Sequence, residues 1–333
     1  MTSGARPGRL RHAEPVMGTV VSFDVPAWAG PALRDAVRWL HWVDATFSPY
    51  RDDSDVSRFG RGSLTLADCV PELAEVLAAC AGVGARSGGY FTTEPGGRFD
   101  PSGYVKGWAI ERAAAMLTAA GSAEHSVNGG GDIQCVGDHG PGQPWRVGIA
   151  DPQRPGSLAL VVAGRDFAVA TSGVAERGPH IINPHTGQPA SGLASITVVG
   201  ARLAAADAYA TAAFAMGPGA RDWVASLDGY EAFAITPGGA TWQTSGFRAY
   251  LPRTPRSIRP FCPGGGGYYR SRGRGDHHDP RRRPRALPRD RGERGEQRAL
   301  PLRAQPGPPG PVQAFLTLPG QHVVEELVPR AVP

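Results

Sequence analysis

Residues 125–137, HSVNGGGDIQCVG, contain two strand-like segments separated by three consecutive glycines. The segments 125–128 and 132–137 are short, polar or β-branched, and bounded by glycine, which is typical of β-strands. Three glycines in a row favour a turn with positive φ, and they also let a ligand approach the backbone closely. A tight hairpin and a ligand-lining turn therefore both remain open for residues 128–132.

Further strand-like segments extend outward from this stretch. They are WRVGIA (145–150), LALVVAG (158–164), FAVATSG (167–173), ASITVVG (194–200) and a terminal hairpin over 231–247. Towards the N-terminus the sequence predicts one strand over 16–25. Apolar spacing and capping residues predict helices over 31–44, 71–87, 107–120 and 204–216, with a short helix after the loop that begins at residue 47. This order favours an α+β fold with mixed, mostly antiparallel sheets and packed helices, not a doubly wound parallel sheet.

The composition changes near residue 250. Residues 253–333 contain 16 Arg, no Lys and seven acidic residues, so this stretch carries +9 while the rest of the chain carries −4. Its GGGG, RSRGRG and PGPPGP runs lack apolar periodicity, which is typical of disorder. We therefore predict a flexible leader over 1–13, a folded domain over 14–250 and a disordered, low-complexity Arg/Pro/Gly-rich tail over 251–333. An out-of-frame extension is the alternative origin of the tail.

The pI of about 9.3 arises from this tail, so we do not expect nucleic acid as a partner of the folded domain. Contact of the Arg-Gly runs with RNA is the alternative.

Cysteine usage and hydropathy exclude two further classes of protein. The four cysteines form no CxxC pair, which argues against a disulfide framework or a zinc site; they are Cys69, Cys80, Cys135 and Cys262. The N-terminus lacks the apolar core of a signal peptide, and no run reaches the roughly 18 apolar residues that span a bilayer. We expect a cytoplasmic protein without a transmembrane segment.

Lys106 is the only lysine in the chain. It lies in DPSGYVKG (100–107), at the predicted entrance of a helix. Backbone N–H groups and the positive end of the helix dipole suit a phosphate there, and an ammonium adds a point charge. A surface lysine without a ligand is the alternative interpretation.

Asp207 and Thr211 lie four residues apart on a predicted helix, so their oxygens share one face. Their neighbours are almost all alanine, which leaves room for a ligand. A carboxylate and a hydroxyl suit a hard cation such as Mg²⁺. A capping Asp beside a Thr bonded to its own helix is the alternative.

His180 is a candidate general base because a neutral imidazole accepts a proton from a hydroxyl near pH 7. A structural role is the alternative. Thr171, Ser172 and Gly173 precede it at the end of a predicted strand, where small hydroxyl residues suit a ligand-lining turn.

Several motifs together, and in this order, resemble the ApbE family of FAD:protein FMN transferases. They span about residues 14–247. They are MGT (17–19), FSPYRDDSDVSRF (47–59), DPSGYVKG (100–107), NGGGD (128–132), WRVGIADP (145–152), AVATSG (168–173), HIINPHTG (180–187) and ADAYATAAF (206–214). The resemblance implies the family's T-fold-like α+β architecture. One departure is Asn183, where the family usually has Asp, so the acidic support of His180 is in question.

The resemblance also implies a role for particular residues. Met17, Tyr50, Asp100, Lys106 and Ile182 would line the FAD site. Mg²⁺ would lie between Asp207, Thr211 and the backbone carbonyl of Gly103, with the carbonyl of Ala210 as a further ligand. His180 and Asp207 would be the catalytic residues.

The implied reaction is the Mg²⁺-dependent transfer of FMN from FAD to a Thr or Ser hydroxyl of an acceptor protein, with release of AMP. Positive charge on the pyrophosphate and a base for the hydroxyl are what such a phosphoryl transfer requires. Two alternatives keep the same site: an FAD pyrophosphatase that yields FMN and AMP, and a non-catalytic FAD-binding protein.

Overall fold

The computed structural model describes residues 8–175, 178 and 180–252. The predicted tail from residue 253 onward, and residues 1–7 of the predicted leader, lie outside the described residues. No helix within the described ranges has both the length and the hydropathy needed to cross a bilayer.

The described residues form twelve strands and six α-helices. The strands are β1 (Arg9–Val16), β2 (Thr19–Pro26), β3 (His125–Gly129), β4 (Asp132–Val136), β5 (Trp145–Ala150), β6 (Leu158–Gly164), β7 (Phe167–Gly173), β8 (Ile182–Asn183), β9 (Gln188–Pro189), β10 (Ser195–Gly200), β11 (Glu231–Ile235) and β12 (Thr241–Gln243). The helices are α1 (Gly30–Phe47), α2 (Asp55–Gly60), α3 (Pro71–Arg86), α4 (Ser102–Ala119), α5 (Leu203–Met216) and α6 (Ala220–Ala225).

One eight-stranded sheet organises the fold, in the order β1-β2-β3-β4-β7-β10-β11-β12. Every neighbouring pair in it is antiparallel. Two antiparallel hairpins, β5–β6 and β8–β9, stand apart from this sheet. The predicted α+β class with mostly antiparallel sheets is confirmed.

Alternation along the strands gives the sheet two apolar faces. In β7, Ala168 and Ala170 pack with the helices, whereas Phe167 and Val169 pack with the β5–β6 hairpin around Trp145. Successive strand residues point to opposite faces, so one sheet separates two cores. The helical core is the larger, and α5 lies within it with eleven of its fourteen residues buried.

Side chains from two other elements fix the start of α5. The Ala204 N–H donates to Glu111 Oε2 of α4 at 2.9 Å, and the Leu203 N–H donates to Gln134 Oε1 of β4 at 3.0 Å. Both acceptors satisfy N–H groups that have no partner within the helix, and the carboxylate suits the positive end of the helix dipole. These bonds hold α5 in register with α4 and β4.

The structure corrects three predicted boundaries. A strand begins at Arg9, so residues 9–13 belong to the fold and not to a leader; Arg9 pairs with Pro26 across β1–β2 and its guanidinium bonds Asp24. The single strand predicted over 16–25 is the second half of this hairpin, which turns at Met17 and Gly18 with positive φ. One face of β1 is polar and half-exposed, so the strand lacks the apolar pattern from which strands are predicted.

The third correction concerns α4, which begins at Ser102 and not at Gly107. Lys106 therefore lies in the second turn of the helix and not in a loop before it. The Asp100 carboxylate accepts the Ser102 N–H at 2.9 Å, directly before the first turn of the helix.

Candidate functional site

The site is built where α4 crosses α5. The Gly107 N–H donates to Asp207 Oδ2 at 3.0 Å. A Cβ at residue 107 would lie 2.8 Å from both Asp207 Cβ and the Leu203 carbonyl oxygen, closer than real Cβ contacts. Only glycine therefore allows this crossing, and the crossing places Lys106 beside Asp207.

The Lys106 ammonium lies between two buried carboxylates. It contacts Asp132 Oδ2 and lies 3.4 Å from Asp207 Oδ2. The two carboxylate side chains are 1% and 7% exposed, and the lysine side chain is 25% exposed. Buried carboxylates are costly unless their charge is compensated. The Lys106 ammonium contributes to that compensation for both carboxylates.

Asp132 was missed by the sequence analysis as a site residue. It follows the three glycines directly, and Gly130 and Gly131 both have positive φ. Gly129 pairs with Asp132 across β3–β4, so the turn is a hairpin. The same turn also directs the Asp132 carboxylate to Lys106, so the two interpretations of residues 128–132 do not exclude each other. The available signal was a carboxylate next to a glycine turn, which does not identify its partner.

Thr211 lies one helical turn after Asp207 and faces the start of α4. A Cβ at Gly103 would lie 3.6 Å from Thr211 Cγ2, so the glycine backbone is adjacent to the threonine. The Thr211 hydroxyl also lies 3.5 Å from the Ser172 hydroxyl of β7. Ala210 is fully buried beside it in α5.

These residues fit a divalent cation. Asp207 offers a carboxylate, Thr211 a hydroxyl, and the adjacent Gly103 a backbone carbonyl; such oxygen donors suit Mg²⁺ better than a transition metal. Among the described residues, no group of three or more His, Cys, Asp or Glu side chains is arranged to hold a metal ion. A cation here would therefore depend on Asp207 and on neutral oxygens.

The start of α4 adjoins a cavity of about 330 Å³. Asp100, directly before the helix, donates its N–H to the Thr93 carbonyl at 2.7 Å. The ring of Phe91 connects the cavity to the site, since a Cβ at Gly103 would lie 3.3 Å from it. The lining is apolar with two threonines: Leu77, Cys80, Ala81, Gly84, Phe91, Thr92, Thr93 and Phe99. Burial raises the pKa of the Cys80 thiol to about 12, so it lines the cavity as an uncharged group.

The predicted FAD residues Met17 and Tyr50 lie on separate loops. Met17, at φ 55°, forms the β1–β2 turn. The Thr19 hydroxyl lies close to Gly130, so this turn is adjacent to the one that bears Asp132. Tyr50 is 82% exposed, and its ring centroid lies 6.0 Å from the Arg98 guanidinium carbon. The structure places Tyr50 beside the segment before Asp100 and not beside Lys106.

His180 lies at the surface, before the β8–β9 hairpin. Its Nδ1 lies 3.0 Å from the Gly178 carbonyl oxygen, so Nδ1 carries the proton and Nε2 is the acceptor in the neutral ring. The described residues include no hydrogen bond or ion pair between His180 and Lys106 or Asp207. Ile182 begins β8, which packs against α5. The hairpin thus follows His180 directly and contacts the helix that carries Asp207.

Asn183 does not orient His180. Its side-chain oxygen accepts the His185 N–H at 2.9 Å, within the turn between β8 and β9. The His185 ring lies edge-on to Tyr90, with ring centroids 4.4 Å apart. The Gly178 carbonyl, and not residue 183, therefore sets the tautomer of His180.

Comparisons with known proteins agree with this architecture. A FAD:protein FMN transferase of Rhodobacter capsulatus is 37% identical over 261 residues, which cover 71% of this chain and 47% of that protein. A FAD:protein FMN transferase of Escherichia coli (strain K12) is 30% identical over 165 residues, covering 46% of this chain and 47% of that protein. The chain therefore spans about half the length of these two curated relatives.

A solved structure and a family profile complete the comparison. The flavin transferase ApbE from Vibrio cholerae aligns with a TM-score of 0.66 at 23% identity, over 73% of this chain and 99% of that one, which establishes the shared fold. The profile of the ApbE family matches residues 17–96 and 92–234. These ranges take in the β1–β2 turn, the start of α4, the Asp132 turn and α5. Because every element of the site lies inside the matched ranges, this chain belongs to the ApbE family.

Proposed function

We propose that this protein transfers FMN from FAD to the hydroxyl of a Thr or Ser in an acceptor protein and releases AMP. The observation that carries the proposal is the Lys106 ammonium between two buried carboxylates, beside Gly103 and Thr211. This arrangement offers positive charge and a cation site at one place, as a pyrophosphate requires. The names of the curated relatives, FAD:protein FMN transferase, support the same reaction.

Asp207, Thr211 and the backbone carbonyls of Gly103 and Ala210 would hold Mg²⁺. When bound, the ion supplies positive charge that lowers the cost of electron density on the phosphate oxygens. Lys106 adds a fixed ammonium on the same side, and its carboxylate partners hold that ammonium in place. The cavity behind Phe91 would take one of the planar ring systems of FAD, packed against apolar side chains such as Phe91 and Leu77.

His180 would act as the base. Its Nδ1–H donates to the Gly178 carbonyl, which leaves Nε2 able to take the proton of the acceptor hydroxyl. The acceptor oxygen then forms a bond to the FMN phosphorus. The bond from that phosphorus to the bridging oxygen breaks, and AMP leaves with that oxygen. The exposed position of His180 suits an acceptor as large as a protein.

The test is incubation of the protein with FAD, Mg²⁺ and proteins encoded beside it as candidate acceptors. A fluorescent protein band after denaturing electrophoresis, with an equal amount of AMP, is the expected result. Free FMN with AMP and no labelled protein would identify a pyrophosphatase. Intact FAD that stays bound would identify a binding protein, and either result would contradict the proposed transfer.

A further inference from the structure

We propose that Asp132 is a positioning residue that holds the Lys106 ammonium, so that Asp207 stays available for a divalent cation. The inference rests on the proposed function, because the cation belongs to that proposal. Its observation is the sharing of one ammonium between two buried carboxylates.

Main-chain contacts fix Asp132. The Oδ1 of Asp132 accepts the Thr171 N–H of β7 at 2.9 Å, while its backbone pairs within the β3–β4 hairpin. Its Oδ2 is thereby aimed at Lys106, at 1% exposure of the side chain. A carboxylate held by two strands is a rigid partner for a lysine, whose stem has four rotatable carbons.

Asp207 and Lys106 would otherwise pair with each other. An ammonium and a divalent cation compete for the same carboxylate, and their attraction to it is strong in a partly buried site. If Asp132 lost its charge, the nearest buried anion for Lys106 would be Asp207, at 3.4 Å. The ammonium would then occupy the position that a cation needs. Asp132 prevents this by offering the ammonium a second carboxylate, one that the Thr171 N–H holds in place.

The test is a titration of the protein with Mn²⁺, followed by electron paramagnetic resonance of the free ion, for wild type and Asp132→Asn. Asparagine keeps an oxygen for the Thr171 N–H and loses only the charge. We expect the dissociation constant for Mn²⁺ to rise roughly 10- to 100-fold, the range seen when a residue supporting metal ligands is lost. The Mg²⁺ concentration for half-maximal transfer should rise by a similar factor, and excess Mg²⁺ should restore the rate.

Two further variants separate positioning from general stability. Asp24→Asn removes another buried carboxylate of the sheet, one paired with Arg9, and should leave Mn²⁺ binding within about twofold because it lies outside the site. The double variant Lys106→Gln/Asp132→Asn has no competing ammonium, and it removes both members of the Lys106–Asp132 pair together. There, loss of the Asp132 charge should change Mn²⁺ binding by less than about threefold relative to Lys106→Gln alone. This comparison also decides the matter if Asp132→Asn alone fails to fold.

The outcomes separate the two proposals. Wild-type Mn²⁺ binding that Asp207→Asn abolishes and Asp132→Asn leaves unchanged would overturn the role of Asp132 and leave the cation site standing. Absence of Mn²⁺ binding to wild type would overturn both. A loss of affinity in Asp132→Asn that is equally large without Lys106 would also overturn the positioning role, because the ammonium would then not be involved.

Discussion

The Gly107 N–H donates a 3.0 Å hydrogen bond to the Asp207 carboxylate, across a separation of 100 residues in the chain. This bond joins the two helices that carry the candidate site. It requires a residue without a side chain on α4, since a Cβ would lie 2.8 Å from Asp207 Cβ. Stability and the geometry of the site therefore depend on the same contact.

Gly107→Ala should lower both the free energy of unfolding and the rate of transfer. Forcing a methyl group into this crossing should cost about 1–3 kcal/mol. Urea unfolding checks the first effect and AMP release checks the second. Gly82→Ala is the matched control, because Gly82 is exposed on α3 with nothing within 4 Å of the added Cβ. It should gain about 0.5–1 kcal/mol from helix propensity, and equal losses in both variants would refute the packing argument.

Asp207→Asn should lower the rate of transfer by roughly 100-fold or more, the scale of losing one electrostatic contact to a transition state. The fold should persist, because the asparagine oxygen still accepts the Gly107 N–H. We expect its free energy of unfolding to change by no more than about 2 kcal/mol. Full turnover by this variant would rule out Asp207 as a cation ligand.

His180→Ala should reduce the rate of transfer more than the affinity for FAD. The imidazole is exposed and bonded to the Gly178 carbonyl, so we assign it to the acceptor hydroxyl and not to the dinucleotide. Single-turnover kinetics with an FAD binding titration measure the two effects separately. A larger change in FAD affinity than in rate would show that His180 holds the ligand.

Asn183→Asp should leave transfer within about threefold of wild type, because distant or unconnected groups contribute independently. Either side chain accepts the His185 N–H, and neither reaches His180 in this arrangement. The pH dependence of the rate should also stay the same. A marked shift of that profile would mean that residue 183 contacts His180 during the reaction.

Acid should destabilise the fold through His125, a fully buried histidine at the start of β3. Burial lowers the pKa of His125 from 6.5 to about 4, while its ring bonds Ser122 and the Ala114 carbonyl. The unfolded chain therefore takes up this proton first, so the stabilisation is complete above about pH 6.5 and is lost as the pH falls toward 4. By linkage the loss amounts to about 3 kcal/mol. Urea unfolding between those pH values should show a smaller loss for His125→Gln; identical losses would exclude His125 as the cause.

The local sequence pattern was sufficient to predict most of the helices and strands. Pro71 starts α3 and apolar spacing defines α1 because these signals lie within a few residues. Strand β1 was not predicted from the sequence, because one of its faces is polar. Its pairing with residues 19–26 of β2 is what defines it as a strand. Its existence depends on pairing and not on propensity.

The candidate site was predictable only in part. That Asp207 and Thr211 share a helical face could be predicted from the sequence, because their spacing matches the period of an α-helix. The pairing of Lys106 with Asp132 joins α4 to a distant turn, and no spacing in one sequence encodes it. The hydrogen bond between His180 and the Gly178 carbonyl was also not predictable by motif comparison. That comparison suggested residue 183 as the partner of His180.

Lys106 is a solitary lysine with a quarter of its side chain exposed. Reductive methylation with an isotope-labelled reagent would therefore tag one side chain, apart from the chain's own α-amino group. The chemical shift of that tag would report directly on the charge around it as FAD or a cation is added. An unmodified natural sequence thus already contains a single spectroscopic reporter at the place where its chemistry is proposed to occur.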